Sequence, residues 1–178
     1  APVKSTLDFE SSNPKAAQSF ILMGDTGSGS EQQFQVANQV YKYCETNSGC
    51  QSVFILGDVI YEKGIKNLQD IQFQSKFENP YKDIRIPIYI GYGNHDYLGC
   101  INCYIEYSNI SSKWKMPSRY YEVQTDYVDF YMIDTEKFDP VQQQWLSNEL
   151  NNSNKNSQIV LGHRPLITSE STKIGEKW

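Results

Sequence analysis

The chain has 178 residues, of which 39% are hydrophobic and 21% are charged, as is typical of a soluble globular protein with a buried core. Its formal net charge of -5 excludes the basic surface on which most nucleic-acid-binding domains depend, so no nucleic-acid partner is expected. No apolar stretch approaches the roughly 18 residues that a membrane-spanning helix needs.

Alternating apolar runs and helical periodicities predict a single α/β domain. Residues 1–18 are polar and predict an N-terminal arm, and the domain follows over 19–178. In chain order, the predicted elements are a strand at 19–23, a helix at 31–44, a strand at 52–56, a helix at 67–77, a strand at 86–90, a helix at 103–115, strands at 119–125 and 127–134, a helix from Pro140 capped by Asp139, and a strand at 158–161. The short Thr125-Asp126 link makes the two central strands an antiparallel hairpin, so the pattern predicts a mixed sheet.

The helical spacing also predicts which side chains face the core. Phe34 and Val36 fall on the predicted inner face of the first helix, and Ile71 falls on that of the second. Ile110 and Trp114 fall on that of the third helix. We therefore expect these five side chains to be buried.

The four cysteines are Cys44, Cys50, Cys100 and Cys103, and they allow three disulfide pairings. Local pairs, 44 with 50 and 100 with 103, are predicted because each brackets a short loop. Two alternatives stay open: free thiols in a reducing compartment, and a zinc site, although Cys100-x-x-Cys103 lacks a second Cys-x-x-Cys.

Three features together predict export to a secreted, endomembrane or lysosomal compartment. The chain begins with Ala1 rather than Met, as a cleaved secretory precursor or a trimmed chain would. The cysteine count is even. Sequons at Asn109 and Asn151 permit N-glycosylation, so a disulfide-bonded glycoprotein is expected.

Four segments each follow an apolar run and end it with potential metal ligands. They are Gly24-Asp25-Thr26-Gly27, Gly57-Asp58-Val59-Ile60-Tyr61, Gly91-Tyr92-Gly93-Asn94-His95-Asp96 and Gly162-His163-Arg164-Pro165. Ligands in α/β proteins bind outside the ends of neighbouring strands, so the series predicts one shared site.

The residue types in this series indicate a metal centre. Two carboxylates at neighbouring strand ends, Asp25 and Asp58, repel each other unless a cation lies between them. Asn94, His163 and Tyr61 complete a mixed oxygen and nitrogen set that suits iron, manganese or zinc, and a tyrosinate favours ferric iron. Two metals that share a carboxylate are suited to phosphate-ester hydrolysis.

Each residue also has an ordinary structural interpretation. A lone Gly-Asp after a strand is usually a turn, and any one of the 13 tyrosines is more often a packing residue. The two histidines of the chain, however, both follow a strand and a glycine, which is improbable for core histidines. That coincidence favours the metal site.

The four segments resemble the motifs of the calcineurin-like metallophosphoesterases. Tyr61 and the stretches 97–99, 105–108 and 114–121 are similar to the tartrate-resistant, purple acid phosphatase branch. The resemblance covers about residues 19–170. It implies a metallophosphoesterase-type α/β sandwich, in which helices flank mixed β-sheets, and an acid phosphatase that hydrolyses phosphomonoesters.

The resemblance also implies a role for each residue. Asp25 and Tyr61 would bind Fe(III), and Asp58 would bridge it to a second metal, Fe(II), Zn or Mn. Asn94 and His163 would bind the second metal, and Asn94 and His95 would face the substrate. His95 would be the catalytic side chain, and a metal-bound hydroxide the nucleophile.

The chain departs from the family pattern at one point, because no Gly-His-x-His motif follows His163. Each metal would keep only three protein ligands. The favoured explanation is a longer protein whose domain continues past a truncated end. A degenerate pseudo-phosphatase acting as a binding or structural subunit, with a partner chain on the open sheet edge, is a second. Histidines supplied by another chain are a third.

Overall fold

The apolar runs form the strands of a two-layer sandwich in the computed structural model, which describes residues 3–6, 18–46 and 49–165. The strands are β1 Val3–Thr6, β2 Phe20–Met23, β3 Ser52–Ile55, β4 Ile88–Ile90, β5 Trp114–Lys115, β6 Tyr121–Gln124, β7 Val128–Met132 and β8 Ser157–Leu161. The α-helices are α1 Glu31–Thr46, α2 Ile101–Glu106 and α3 Pro140–Asn152. A π-helix spans Gln74–Glu78, and 3-10 turns span Asp96–Leu98 and Tyr107–Asn109.

The strands build two four-stranded sheets of different character. One sheet has the order β2-β3-β4-β5 and is parallel throughout. The other has the order β1-β6-β7-β8, and only its β6–β7 hairpin is antiparallel. The predicted α/β class with a mixed sheet and a central hairpin is therefore confirmed.

Aromatic side chains join the two sheets face to face. Phe130 of the mixed sheet packs against Phe54 and Phe20 of the parallel sheet, with ring centroids 4.6 and 4.9 Å apart. The Tyr121 hydroxyl donates a hydrogen bond to the Ile90 carbonyl across the same interface at 2.9 Å. This buried layer fixes the parallel sheet, and hence its strand ends, against the mixed sheet.

Helix α3 covers the outer face of the mixed sheet. Trp145 packs on Tyr120 and Tyr131, with ring centroids 4.8 and 6.3 Å apart. The helix begins as predicted, because the Asp139 carboxylate accepts a hydrogen bond from the Gln142 amide at 2.9 Å and Pro140 occupies the first turn.

Two predicted segments are wrong. The helix predicted at 103–115 ends within its first half, and Trp114 instead lies in β5, which pairs in parallel with β4. Part of the predicted N-terminal arm, residues 3–6, forms β1 and pairs with β6. In both cases pairing with a neighbouring strand determines the conformation. The hydrophobic periodicity of a segment does not show which strand it will pair with.

Several side chains predicted to be buried are exposed. Phe34 and Val36 are 41% and 50% exposed, and Ile71 and Ile110 are 72% and 60% exposed. On α1 the polar Gln33 takes the inner position, because its amide is satisfied by the Gly29 amide and the Lys76 carbonyl. The predicted second helix is a series of turns followed by the π-helix.

The predicted cysteine pairing is confirmed. Disulfides join Cys44 to Cys50 and Cys100 to Cys103. The alternatives of free thiols and of a zinc site at these cysteines are therefore wrong.

A buried carboxylate ties together the loops that follow β3 and β4. Asp96 is fully buried and accepts hydrogen bonds from the amides of Val59 at 3.1 Å and Gly93 at 2.9 Å. It also accepts from the Ile60 amide and from the Tyr104 hydroxyl of α2. Burial raises the pKa of the Asp96 carboxyl to about 6, although the hydrogen bonds act in the opposite direction.

Each sheet has two edge strands without a neighbour on the outer side among the described residues, β2 and β5 in the parallel sheet and β1 and β8 in the mixed sheet. Leu22 on β2 is 46% exposed, and Ile159 on β8 is 36% exposed.

Within the described ranges, no helix is both long enough and apolar enough to cross a membrane.

We predict that Trp114→Ala lowers the free energy of unfolding by about 3–5 kcal/mol, as full truncation of a buried aromatic does. Trp114 is fully buried, stacks edge-on against Phe77 at 4.7 Å and donates its indole hydrogen to the Tyr104 carbonyl at 2.8 Å. Urea denaturation measures the loss. Val141→Ala, at a side chain 69% exposed, is the control and should change the free energy by less than about 0.5 kcal/mol. Equal losses in the two variants would contradict this account of the core.

Asp96→Ala should lower the free energy of unfolding by about 3 kcal/mol or more, because three buried amides lose their acceptor together. Asp83→Ala removes an exposed carboxylate and is the matched control. A metal-free Asp96→Ala protein as stable as the control would show that Asp96 does not hold these loops together.

Candidate metal centre

Parallel strands bring three of the predicted ligands to one edge of the sheet. Asp25, Asp58 and Asn94 lie in the loops after β2, β3 and β4, which are neighbours in the parallel sheet. Asp25 and Asp58 have positive φ angles of 56° and 51°. Aspartate tolerates this left-handed conformation better than most residues do. It is nevertheless unusual for an aspartate to adopt it in the loops after two neighbouring strands.

The loop after β8 brings His163 to the same edge from the mixed sheet. One ligand atom from each of Asp25, Asp58 and His163 lies within 4.8 Å of the other two. The Nε2 atom of His163 lies 3.2 Å from the Asn94 Oδ1 atom and 3.6 Å from the Asp58 Oδ2 atom. Four of the predicted ligands therefore converge on one small volume.

The chemistry of this group fits a cation. The His163 Nδ1 atom lies 3.0 Å from the Leu56 carbonyl, which can only accept a hydrogen bond, so Nδ1 carries a proton. In the neutral ring, Nε2 then directs a lone pair toward the oxygens of Asp58 and Asn94. Three acceptors that face one another repel, and a metal ion between them removes that repulsion.

Tyr61 belongs to the same group through Asp25. Its hydroxyl donates a hydrogen bond to the Asp25 Oδ1 atom at 2.8 Å. Desolvation, together with the carboxylates of Asp25 and Asp58, raises the pKa of the Tyr61 phenol far above its ordinary value. In the absence of metal the phenol is therefore protonated, and only a strong Lewis acid would displace its proton.

His95 is held beside this group by backbone contacts. Its amide donates to the Asp58 Oδ1 atom at 2.9 Å, and its Nδ1 atom lies 2.5 Å from the Glu62 carbonyl. The carbonyl fixes the proton on Nδ1 and leaves Nε2 for a bound group. The ring lies 4.6 Å from the Tyr61 ring, centroid to centroid.

The loops approach so closely that several positions require glycine, and Gly93 is the one in contact with a predicted ligand. A Cβ atom on Gly93 would come 2.2 Å from the Asp58 Oδ1 atom, so any larger residue displaces that carboxylate. The glycine in this segment is therefore part of the geometry that sets the position of Asp58.

All six residues singled out in the sequence lie in one network at this edge. They are Asp25, Asp58, Tyr61, Asn94, His95 and His163. Their assignment to individual metals or to catalysis remains a prediction.

Sequence reasoning missed the residues that anchor the His163 loop. Arg164 forms a two-point ion pair with Glu136, at 2.6 and 3.1 Å, and its amide donates to the Thr135 hydroxyl at 3.1 Å. These contacts join the loop after β8 to the loop after β7. No sequence pattern links residues 28 positions apart, so only the fold reveals them.

Curated relatives are similar in sequence over most of the chain. Tartrate-resistant acid phosphatase type 5 of Homo sapiens is 28% identical over an alignment of 181 residues. The alignment covers 83% of this chain and 56% of that protein. Purple acid phosphatase 4 of Arabidopsis thaliana is 32% identical over 131 residues, covering 71% of this chain and 38% of that protein. The chain thus spans about half the length, or less, of these relatives.

A solved structure described as "GAP50 the anchor in the inner membrane complex of Plasmodium" has a similar fold, with a TM-score of 0.71 at 20% identity, over 86% of this chain and 56% of that one. A family model described as calcineurin-like phosphoesterase matches residues 19–177. The resemblance that the four motifs carry is thereby confirmed, and the chain belongs to the calcineurin-like phosphoesterase family.

Proposed function

We propose that the protein, in its full natural length, hydrolyses phosphomonoesters at a dinuclear metal centre of the purple acid phosphatase type. The observation that carries this proposal is the convergence of the Asp58, Asn94 and His163 acceptors on one volume beside Asp25. The kinship with tartrate-resistant and purple acid phosphatases supports the reaction class.

The proposed ligand sets share Asp58. Asp25, Asp58 and Tyr61 would hold Fe(III), and Asp58, Asn94 and His163 would hold Fe(II), Zn or Mn. When bound, the metal pair would supply an activated water and neutralise negative charge on the phosphate. Three protein ligands for each metal leave room for further ligands, so we assign the activity to the full-length protein.

His95 and Asn94 would contact the substrate. With Nδ1 of His95 committed to the Glu62 carbonyl, a protonated Nε2 can donate a hydrogen bond to a phosphate oxygen and pass its proton to the leaving alkoxide. The Asn94 side chain would lie against the same phosphate.

The two disulfides are typical of an exported protein. Asn109 and Asn151, the two sequon asparagines, are both exposed and thus accessible to N-glycosylation. We propose a secreted or lysosomal-type location on these grounds.

A second candidate function is that of a non-catalytic binding subunit. Two exposed apolar side chains, Leu22 on the edge strand β2 and Ile159 on the edge strand β8, favour it because a partner chain could add to either of these two strands. The similar solved structure, described as an anchor in an inner membrane complex, is compatible with such a role. This alternative predicts neither bound metal nor turnover.

The enzyme proposal is tested by metal content and p-nitrophenyl phosphate turnover of the full-length protein. Asp58→Ala should remove metal and lower kcat/KM by about 100-fold or more, because both ligand sets lose a member. His95→Ala should retain metal and lower kcat by roughly 100-fold or more. Glu106→Ala, at an exposed carboxylate at the end of α2, is the control and should behave as wild type. Turnover that survives the first two substitutions would sink the proposal, and a metal-free, inactive wild type would favour the binding subunit.

Tyr61→Phe tests the ferric assignment separately. Iron-loaded wild-type protein should show a visible tyrosinate-to-iron absorption band, and the variant should lack it while it retains iron on the remaining ligands. Tyr43→Phe changes an exposed tyrosine that is 48% accessible and should leave the band unaltered. A band that persists in Tyr61→Phe would mean that a different tyrosine binds iron.

A further inference from the structure

The loop of residues 61–64 is held by three side chains through its carbonyl groups. The Tyr61 carbonyl accepts a hydrogen bond from the Lys76 ammonium group, and the Glu62 carbonyl accepts from His95 Nδ1 at 2.5 Å. The Gly64 carbonyl accepts from the Gln72 amide at 3.0 Å. The conformation of this short loop therefore determines both the position of the Tyr61 phenol and the orientation of the His95 ring.

Lys76 and Gln72 brace each other as they hold this loop. The Lys76 Nζ atom donates to the Gln72 Oε1 atom at 2.8 Å. Lys76 lies in the π-helix Gln74–Glu78, a rare conformation that is frequent at functional sites. The hydrogen bond from its ammonium to the loop is partly buried and thus partly shielded from competing water.

The same lysine also contacts the loop that follows Asp25. A Cβ atom on Gly29 would come 3.2 Å from the Lys76 Cγ atom, so the aliphatic part of Lys76 packs directly beneath that glycine. Gln33 joins the two backbones: its amide nitrogen donates to the Lys76 carbonyl at 2.6 Å, and its amide oxygen accepts from the Gly29 amide at 2.7 Å. Lys76 thus connects the loops that carry Asp25 and Tyr61.

We propose that Lys76 is a positioning residue for the Asp25–Tyr61 half of the site and for His95. It touches neither the carboxylate nor the phenol, and it acts through the Tyr61 carbonyl and through its contact with Gly29. A methionine would fill a similar volume and keep the packing, but it would leave the Tyr61 carbonyl and the Gln72 Oε1 atom without a donor. The inference rests on the proposed function, which supplies the metal, and it adds one residue to those that position the metal ligands.

The experiment compares Lys76→Met with wild type in the full-length protein loaded with ferric iron. We expect the visible tyrosinate-to-iron band to shift or weaken and the affinity for ferric iron to fall by about 10-fold, the lower end of the effect of residues that orient metal ligands. Lys76→Arg, which keeps a donor, should recover part of both. Lys82→Met, at an exposed lysine six positions on, is the matched control and should match wild type.

Amide hydrogen exchange of the metal-free protein supplies a readout that needs no metal. The Tyr61 amide donates to the Gly27 carbonyl at 3.0 Å and the Gly64 amide to the Ile60 carbonyl at 3.2 Å, so both should be protected. Lys76→Met should speed their exchange about tenfold, without the same change in the core strand β3.

The outcomes separate the two proposals. A wild-type protein that binds no ferric iron refutes the metal assignment, and the exchange rates then decide on Lys76. Lys76→Met with wild-type exchange at Tyr61 and Gly64 would overturn the inference. An unchanged iron band and affinity in that variant would overturn it as well. A loss of thermal stability alone, with band, affinity and local exchange unchanged, would show that Lys76 only stabilises the fold.

Discussion

The Asp58 carboxylate is the group on which the rest of the site depends. One of its oxygens accepts a hydrogen bond from the His95 amide at 2.9 Å, and the other lies 3.6 Å from the His163 Nε2 atom. A side chain at position 93 would collide with that carboxylate, so the position requires glycine. The loops after β3, β4 and β8 therefore meet at a single buried carboxylate, of which only 3% is exposed.

The architecture of the sheets explains how so many polar groups reach this point. Neighbouring parallel strands end at the same edge, and the core between the sheets fixes the fourth loop against them. Beyond the strand ends, buried polar contacts rather than hydrophobic packing hold the loops in place. Asp96 holds two of the loops by their amides, while Lys76 and Gln72 hold the loop of residues 61–64 by its carbonyls. Left-handed backbone at Asp25 and Asp58 is the strain that these contacts must sustain.

The strands that lead to the site, and the residues that follow them, could be predicted from the sequence. Uninterrupted apolar runs followed by glycine and a polar residue indicate parallel strands directly, and of the four strands β3 and β4 are buried throughout. Helix faces were harder to predict, because Gln33 is buried through hydrogen bonds that a hydrophobic pattern does not register, whereas Phe34 is left outside. Trp114 lies in a strand because its segment pairs with the side of β4 that β3 leaves open, and its indole ring packs in the core.

The residues that support the site could not be predicted for a different reason. Asp96 stands within a motif, yet its role depends on amides of Val59 and Ile60, almost 40 positions earlier in the chain. Lys76 lies in no motif, and Arg164 lies in one whose pattern does not show its partner; the groups that both side chains contact lie on other loops. Contacts of this kind arise from the topology, so a single sequence carries no local signal for them.

The most direct test of the central claim is anomalous X-ray diffraction from crystals of the metal-loaded, full-length protein. The account predicts two anomalous peaks roughly 3.5–4 Å apart, with the Asp58 carboxylate in contact with both, Tyr61 on one side and His163 on the other. A single ion that Asp58 does not share, or no anomalous peak at this edge of the sheet, would contradict it.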